Sequence, residues 1–487
     1  MIALDPCDHA SLQRQVYVGI RHAILTGRLS RGALVPSSRA IARDLGVSRT
    51  TTLLALEQLV AEGYLTTRPA LGTFVALELP DELPAARSPR LAALSRPADL
   101  SRRGAALAQS RQGALRLGVA PRPFRIGSPA VDLFPTKLWA RLTSRQSRSM
   151  GPAQLEYSDP AGLLALRQAI AEQVNRSRAA ECEPGQVIVV AGAQQGLDLA
   201  CRVLLDPGDA AWLEDPGYPG ARSALIAAGA EIAPIPVDDE GLDVEAGTRR
   251  AAAARVAYVT PSHQYPLGVV MSLPRRVALL RWASRAGAWI IEDDYDSEFR
   301  HGARPIPSLR GLGLDARVIY VGSFSKTLFP ALRLGFLLVP PSLHQSIVAA
   351  RAAADQQPPM LEQLILAEFI GEGHLSYHLR RMREAYRERL EALTDAARRL
   401  CGGVLRLRET MTGLHAVADL DGVPADSVVG EAARRGIEVA ALSSYSAEPL
   451  RAVNGLVLGF GAVEPSRLWK GMEGLAAAIE AARRRAI

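Results

Sequence analysis

Short apolar segments alternate with helical segments along most of this sequence, from about Phe124 onward. The apolar segments that we interpret as buried strands are 187–190, 211–213, 255–259, 289–291, 318–321 and 336–339. This order of elements is typical of an α/β domain with a mostly parallel sheet. We predict a smaller α+β lobe over about 375–487, where a helix at 377–400 precedes strands at 414–419 and 456–460.

A separate helical pattern occupies residues 11–77. Hydrophobic residues recur at helical spacing from Leu12 to Leu25, and Gly46 then separates two further helices. Ser48 stands where the last of these helices needs an N-cap. Two short strands follow, at 63–67 and 72–75. The pattern predicts a helix-turn-helix with a β-hairpin wing.

The last helix of this unit begins with polar residues and continues with leucines. We expect Arg49 to Thr52 to be exposed, and Leu53, Leu56 and Leu59 to face inward. Donors at an exposed helix N-terminus suit phosphates and base edges of DNA. The predicted DNA contacts are Arg39, Ser48, Arg49, Thr50, Thr51 and, in the minor groove, Arg68 of the wing. The alternative is a helical module for dimerisation or for binding another protein.

Between the two patterns, residues 78–118 lose periodicity and are rich in Ala, Pro, Arg and Ser. We interpret them as a flexible linker with a short helical patch, between a head at 11–77 and a large domain at 119–487.

The composition argues against several classes of protein. No apolar run is long enough for a membrane span, and the first residues do not form a signal peptide. The four cysteines are far apart, which argues against a zinc site or disulfides and favours the reducing cytoplasm. We therefore expect no metal site and no membrane association. The net charge of +7 permits nucleic-acid binding without establishing it.

Lys326 is one of three lysines in a chain whose 57 basic residues are nearly all arginine. A lysine with a lowered pKa can act as a nucleophile, whereas arginine stays protonated. Lys326 ends a Ser-Phe-Ser-Lys sequence, and Arg333 follows seven residues later. Hydroxyls and an arginine near a lysine suit an aldehyde that bears a phosphate, and pyridoxal 5′-phosphate (PLP) is such a compound.

An acidic run at 292–296 follows an apolar strand, so its side chains should lie at the carboxyl end of the sheet, where sites of α/β proteins form. We assign Asp293 to the pyridine nitrogen of PLP, which needs a carboxylate to stay protonated, and Tyr295 to the ring hydroxyl. A divalent-metal site or a solvated turn is the alternative for this run.

The segment 191–196, Ala-Gly-Ala-Gln-Gln-Gly, follows a strand and opens a helix, so its amides suit a phosphate. The residues assigned to the phosphate are Ala193, Gln194, Ser323, Ser325 and Arg333. Tyr218, in an Asp-Pro-Gly-Tyr-Pro turn, is an aromatic that could stack on the ring; a core tyrosine is the alternative.

These motifs support two resemblances. Residues 11–77 resemble the GntR family of winged-helix regulators, through 36–42, 45–51, 59–65 and 72–75. Residues 124–487 resemble fold-type I aminotransferases, through 191–196, 216–219, 260–268, 292–296 and 323–333. The second resemblance implies PLP attached covalently at Lys326, with Asp293, Tyr218, Ser323, Ser325 and Arg333 in the roles given above.

A GntR head joined to this fold resembles the MocR subfamily of regulators. Tyr265 stands where aminotransferases usually have an asparagine near the ring hydroxyl, and this subfamily also has an aromatic there. We therefore include Tyr265 among the cofactor-binding residues. The resemblance implies a homodimer, double-stranded operator DNA as partner, and PLP or an amine-bearing metabolite as effector.

Val457 departs from the pattern of the enzymes, which have an arginine two residues before a Gly-Phe-like pair to bind the substrate carboxylate. Apolar packing does not replace such a bidentate contact, although Arg222 or His263 could substitute. We therefore predict a PLP-dependent transcription regulator, with vitamin B6 synthesis as a candidate target. The alternatives are a working aminotransferase with an accessory head and a PLP-storage protein.

Overall fold

The computed structural model describes residues 4–5, 10–80, 100–110, 121–301, 307–313, 317–447 and 453–486. It divides into two compact units, Met1–Asp99 and Leu100–Ile487. The helices are α1 (Leu12–Leu25), α2 (Ser38–Leu45), α3 (Arg49–Ala61), α4 (Arg102–Gln109), α5 (Thr136–Ser149), α6 (Pro152–Leu155), α7 (Leu164–Arg178), α8 (Ala193–Leu204), α9 (Pro219–Ala228), α10 (Val244–Ala251), α11 (Leu273–Ala286), α12 (Phe324–Thr327), α13 (Pro341–Asp355), α14 (Met360–Gly371), α15 (His374–Leu400), α16 (Ala425–Arg434) and α17 (Pro465–Ala486). Among the described residues, no helix combines the length and apolar character that crossing a membrane requires.

The strands are β1 (Leu65–Arg68), β2 (Gly72–Val75), β3 (Val187–Val190), β4 (Ala210–Asp215), β5 (Glu231–Asp238), β6 (Gly241–Leu242), β7 (Val256–Val259), β8 (Trp289–Asp294), β9 (Val318–Ser323), β10 (Gly335–Leu338), β11 (Leu405–Leu407), β12 (His415–Leu420), β13 (Ala440–Ala441) and β14 (Gly455–Gly459).

The first unit is a winged helix-turn-helix, as the sequence predicts. Ser48 caps α3, since its hydroxyl oxygen accepts a hydrogen bond from the Thr51 amide at 3.0 Å. Gly46 ends α2 in the left-handed region, with φ 66°. The antiparallel pair β1 and β2 forms the wing.

The inward face of α3 was predicted incorrectly at two positions, Thr52 and Leu53. Leu53 is 41 % exposed, and Thr52 is buried instead. The buried residues of α3 are Thr52, Ala55, Leu56 and Leu59. Their spacing of i, i+3, i+4 and i+7 is that of a single helix face, which Leu53 does not share.

The second unit contains an eight-stranded sheet of order β3-β10-β9-β8-β7-β4-β5-β6. Strands β9, β8, β7, β4 and β5 pair in parallel, whereas β10 is antiparallel to both its neighbours. Successive residues of β3 belong to different hydrophobic cores. Val187 and Val189 pack in one core, and Ile188 and Val190 pack in another. The expected mostly parallel sheet, buried on both faces, is confirmed.

Strand β5 is an element that the sequence pattern does not predict. It contains Pro234 and Pro236, and proline is normally confined to strands near an edge because it lacks an amide donor. The strand fits this rule, since beyond it lies only the two-residue β6.

The smaller α+β lobe is a four-stranded antiparallel sheet, β11-β12-β14-β13, against which α15, α16 and α17 pack. Its two predicted strands, 414–419 and 456–460, match β12 and β14 to within one residue at each end.

Much of the predicted linker lies outside the described residues, namely 81–99 and 111–118. Within the predicted linker, α4 packs against α9, and the Ser110 hydroxyl oxygen lies 3.3 Å from that of Ser223. The domain boundaries themselves remain a prediction.

Candidate functional site

Two neighbouring acids at the end of β8 face opposite sides of the sheet, as successive strand residues do. Asp293 accepts a hydrogen bond from the Tyr258 hydroxyl at 2.8 Å. Asp294 accepts one from the Tyr320 hydroxyl at 2.7 Å and pairs with Arg178 at 2.7 Å. Asp294 thus has protein partners through Oδ2 on its own side of the sheet, although its Oδ1 has no hydrogen-bond partner, and Asp293 belongs to a different set of residues.

Asp293 has an unused acceptor. The side chain is buried, and its Oδ1 has no hydrogen-bond partner. Burial raises the pKa of Asp293 to about 7, although the Tyr258 hydrogen bond opposes this. A buried acceptor without a partner costs free energy that a ligand with a donor would recover. The protonated pyridine nitrogen of PLP is such a donor, so this side chain fits the cofactor.

Lys326 lies in α12, directly after β9, and its Nζ donates a hydrogen bond to the Gly127 carbonyl at 2.5 Å. A Cβ on Gly127 would lie only 2.8 Å from Nζ, so the glycine leaves room for the amine. Burial lowers the pKa of Lys326, while Asp296 and Asp293 oppose that shift. The lowered pKa favours the neutral, nucleophilic amine.

The predicted phosphate residues meet at the start of α8. The Arg333 guanidinium donates to the Ala191 carbonyl at 2.7 Å and lies 3.2 Å from where a Cβ on Gly192 would be. Gly192 has φ 89° and directly precedes Ala193, the first residue of α8. This region therefore combines a guanidinium with a helix N-terminus, a pairing that suits a phosphate.

The other predicted phosphate residues already have partners in the protein. The Gln194 side-chain amide donates to the Gly220 carbonyl at 2.9 Å. The Ser323 hydroxyl oxygen accepts from the Ser325 amide at 3.2 Å, at the start of α12. Ser323 and Ser325 are both partly exposed.

The three predicted ring-contacting tyrosines form one aromatic cluster. The Tyr265 ring lies edge-on to Tyr218 at 5.6 Å and to Tyr295 at 5.8 Å, between ring centroids. The Tyr265 hydroxyl lies 3.4 Å from that of Tyr445, a residue that the sequence did not single out. The structure thus brings together side chains from the segments before α9, after β7 and after β8.

A buried group of His263, Asp296 and His415 adjoins the tyrosines. His263 Nδ1 lies 3.0 and 3.1 Å from the two Asp296 carboxylate oxygens and 3.0 Å from the Tyr295 hydroxyl. His415 Nε2 lies 3.0 Å from the Pro266 carbonyl oxygen. Potential metal-ligating atoms of the three residues lie within 4.8 Å of one another, although we predict no metal site.

Sequence reasoning missed most of this group. Asp296 belongs to the acidic run, but only its position in three dimensions shows that it faces His263. His415 has no sequence signal at all. The idea that His263 could bind a ligand carboxylate fits poorly, because the imidazole faces the Asp296 carboxylate.

The small-lobe side of this region is apolar. Val457 is 0 % exposed and packs in a cluster with Val417, Leu442 and Tyr445, against which Tyr265 also packs. The position that holds a carboxylate-binding arginine in the enzymes is therefore part of a closed core.

Loop residues 445–447 are hydrogen-bonded to the turn before Tyr218. The Ser446 hydroxyl and the Ala447 amide donate to the Asp215 carboxylate at 2.9 and 2.6 Å. The Gly217 amide donates to the Tyr445 carbonyl at 3.0 Å. We call these three hydrogen bonds the lobe latch.

The predicted DNA-contacting residues of the first unit are on its surface. All are exposed except Thr51, which is half-buried. The Arg68 guanidinium lies 5.1 Å from the centre of the Phe74 ring, on the wing. The Ser48 hydroxyl oxygen is used by the helix cap and also lies 2.8 Å from the Thr51 hydroxyl oxygen.

Comparison with known proteins gives matches to both units. Residues 12–75 match the model of bacterial regulatory proteins of the gntR family, and residues 127–438 match that of aminotransferases class I and II. The probable rhizopine catabolism regulatory protein MocR of Rhizobium meliloti is 39 % identical, over 98 % of this chain and 96 % of its own.

Two further similarities extend this picture. The pyridoxine biosynthesis transcriptional regulator PdxR of Corynebacterium glutamicum is 34 % identical over 96 % of each chain. The crystal structure of LysN, an α-aminoadipate aminotransferase of Thermus thermophilus, has a TM-score of 0.69 and 31 % identity. The match covers 74 % of this chain and 92 % of that enzyme.

Proposed function

This chain belongs to the MocR-type transcription regulators, and from that premise we propose that PLP bound at Lys326 controls how the winged head binds operator DNA. Members of this type are DNA-binding regulators with an aminotransferase-like domain. The observation that supports the cofactor most strongly is the unpartnered, buried Oδ1 of Asp293 in the same site as Lys326.

Different residues of the site are proposed to bind different parts of PLP. When bound, PLP supplies an aldehyde that bonds to a lysine amine, and an aromatic ring that absorbs near-visible light. Lys326 provides the amine, Asp293 holds the proton on the pyridine nitrogen, and Tyr295 donates to the ring hydroxyl. Tyr218 stacks on the ring beside Tyr265. The phosphate is bound by Arg333, Ser323, Ser325 and the α8 amides near Ala193 and Gln194.

The apolar side chain of Val457 restricts which effectors the site can bind. Since this position lies in a closed apolar cluster, an α-carboxylate would find no bidentate partner there. We therefore propose PLP itself as the effector, or else an amine without an α-carboxylate. A similar protein is named for pyridoxine biosynthesis, and control of vitamin B6 synthesis is the role that we propose here.

The head is proposed to bind double-stranded operator DNA in the cytoplasm, through exposed arginines on α2, α3 and the wing. We also propose a homodimer. Leu155 and Tyr157 are 74 % and 83 % exposed, the highest values among the large hydrophobic residues that the structure describes. A second copy covering them would remove this apolar surface from water. Light scattering of the purified protein gives the mass of the assembly.

Operator binding with and without PLP tests the central proposal. The upstream regions of the protein's own gene and of PLP-synthesis genes serve as labelled DNA, titrated with PLP-loaded and PLP-free protein. We expect at least one region to be bound with an affinity that changes on adding PLP. A Lys326→Ala variant should lose this response. Equal binding in both forms would reject PLP as the effector.

Two arginine variants test the reading head. Arg49→Ala or Arg39→Ala should cost about 1–3 kcal/mol of operator binding if the side chain contacts a base. Arg249→Ala, an exposed arginine of the other unit, is the control. Unchanged binding by both head variants would reject the assignment. The alternative function, transamination, is tested with an amino-acid panel, and steady turnover would support it.

A further inference from the structure

We infer that His263 is a positioning residue, which fixes the Tyr295 hydroxyl so that it donates its proton towards the ring hydroxyl of the cofactor. This inference rests on the proposed binding of PLP. It assigns a role to a buried imidazole that the proposed function leaves unused.

The first step is the proton on His263. Asp296 is 1 % exposed, and both its carboxylate oxygens lie within 3.1 Å of His263 Nδ1. An ionised carboxylate only accepts hydrogen bonds, so the nitrogen that faces it must be the protonated one. Asp296 therefore holds the imidazole with its proton on Nδ1.

The second step is the direction of the Tyr295 hydroxyl. Its oxygen lies 3.0 Å from the same Nδ1. Because Nδ1 carries a proton and has no free lone pair, the oxygen can only accept there. The proton of Tyr295 must then point away from His263. At the position where aminotransferases usually have an asparagine donor, this chain has Tyr265, whose hydroxyl lies beside that of Tyr445. Tyr295 therefore remains as the donor to the ring hydroxyl of the cofactor.

The third step is the fixed position of the imidazole. Gly413, with φ 83°, packs so closely that a Cβ there would overlap the His263 ring. A Cβ on Gly268, with φ 79°, would lie 3.3 Å from His263 Nε2. The two glycines thus leave the space that the ring occupies, and there Nε2 is buried without a partner.

The surroundings do not supply a competing proton donor. His415 lies 4.8 Å from His263 between ring centroids, and burial lowers the pKa of His415 to about 3. It is therefore neutral at physiological pH. Among the described residues, the titratable groups near His263 and Tyr295 are Glu214, Tyr265, Asp293, Asp296, His301, His415 and Lys326.

The test measures the pH at which the near-visible band of bound PLP titrates. The oxygen of the ring hydroxyl shares a proton with the nitrogen that joins Lys326 to the cofactor. A hydrogen bond donated to this oxygen withdraws negative charge from it, so the shared proton is lost at a lower pH. In His263→Gln, the amide lies nearer the former Nε2 position than Nδ1, and we expect the midpoint to rise by about one pH unit. In His263→Asn, an amide N–H can replace Nδ1–H, and the midpoint should stay near that of the natural protein.

Tyr295→Phe should raise the midpoint to the same extent, and His263→Gln should add nothing to it, because both changes remove one hydrogen bond. The proteins are first dialysed against EDTA, since the three residues near Tyr295 could also hold a metal. Added zinc that changes the spectrum of the natural protein would overturn the inference.

The outcomes separate this inference from the proposed function. If the natural protein shows no PLP band, the proposed function fails. If the band is present but its midpoint is the same in His263→Gln, the inference alone fails. If His263→Gln does not fold, Tyr295→Phe replaces it, since that variant removes the proposed donor without changing His263 or Asp296. An unshifted midpoint in Tyr295→Phe would equally overturn the inference.

Discussion

The two sides of the candidate site differ in chemistry. The sheet side contains buried charged and polar groups, among them Asp293, Lys326 and the His263–Asp296 pair. The small-lobe side, around Val457, is a closed apolar cluster. Buried charges are costly and require a ligand or a partner, whereas apolar packing requires neither. The difference fits the proposed function, in which the sheet side holds a cofactor and the small-lobe side does not bind an amino-acid carboxylate.

The largest expected effect is on the sheet side. Lys326→Ala should abolish covalent attachment of PLP, because the protein has no other amine in the site. Borohydride reduction followed by peptide mapping should find the adduct on Lys326 in the natural protein and none in the variant. Lys137→Ala, at an exposed lysine of α5, is the control and should retain the adduct. An unchanged adduct in the Lys326 variant would contradict the assignment.

The next effect is on the small-lobe side. Val457→Arg should lower the free energy of unfolding by about 3–5 kcal/mol, because it places an unpaired charge in a closed core. Val453→Arg is the matched control, since Val453 is exposed, and should change stability little. Urea unfolding measures both. If Val457→Arg folds normally and responds to α-amino acids, the small-lobe side is a substrate pocket and the comparison is wrong.

The two faces of β8 allow a finer test. Asp293→Asn should weaken PLP binding about 10- to 100-fold, because a charge-assisted hydrogen bond is lost. Asp294→Asn, on the other face, should lower stability through the loss of its Arg178 pair and leave PLP affinity unchanged. Titration of PLP-free protein with PLP, followed by absorbance, measures both affinities. Equal losses of PLP affinity in the two variants would mean that Asp293 and Asp294 do not belong to different sites.

A further effect is the pH dependence of stability. The pKa of Asp293 is raised from 3.8 to about 7 in the folded protein, so the folded state binds more protons than the unfolded state between these values. Stability of the PLP-free protein should fall as pH rises from about 4 to about 7, by up to about 1.4 kcal/mol per pH unit for this group.

Asp293→Asn should reduce that slope without removing it, because burial raises the pKa of Glu214 and Glu292 to about 7 as well. Urea unfolding at four pH values compares the two proteins. A steeper fall in the variant would contradict the assigned direction of the pKa shift.

The sequence predicts well what depends on neighbouring residues. The cap at Ser48, the turn at Gly46 and the order of the strands all follow from local patterns. The two errors also have local causes. The face of α3 was misplaced by one residue at Leu53, and the prolines of β5 concealed a strand near the sheet edge.

The site was only partly predictable, because several of its contacts join distant segments. Gly127 meets Lys326 across 199 residues, and Ser446 meets Asp215 across 231. The motifs identify which residue types are available, such as Asp293 and Arg333. They do not show that Asp293 retains an unpartnered oxygen, nor that His415 lies beside His263.

The lobe latch has a mechanical consequence. Asp215 and Gly217 lie in the turn directly before Tyr218, the residue proposed to stack on the ring. Their hydrogen bonds hold the 445–447 loop against this turn. Movement of the small lobe away from this turn would break all three hydrogen bonds, at about 0.5–1.5 kcal/mol for the bond to the Tyr445 carbonyl and about 1.5–3 kcal/mol for each bond to the Asp215 carboxylate. The position of the turn before Tyr218 is therefore coupled to the position of the 445–447 loop in the small lobe.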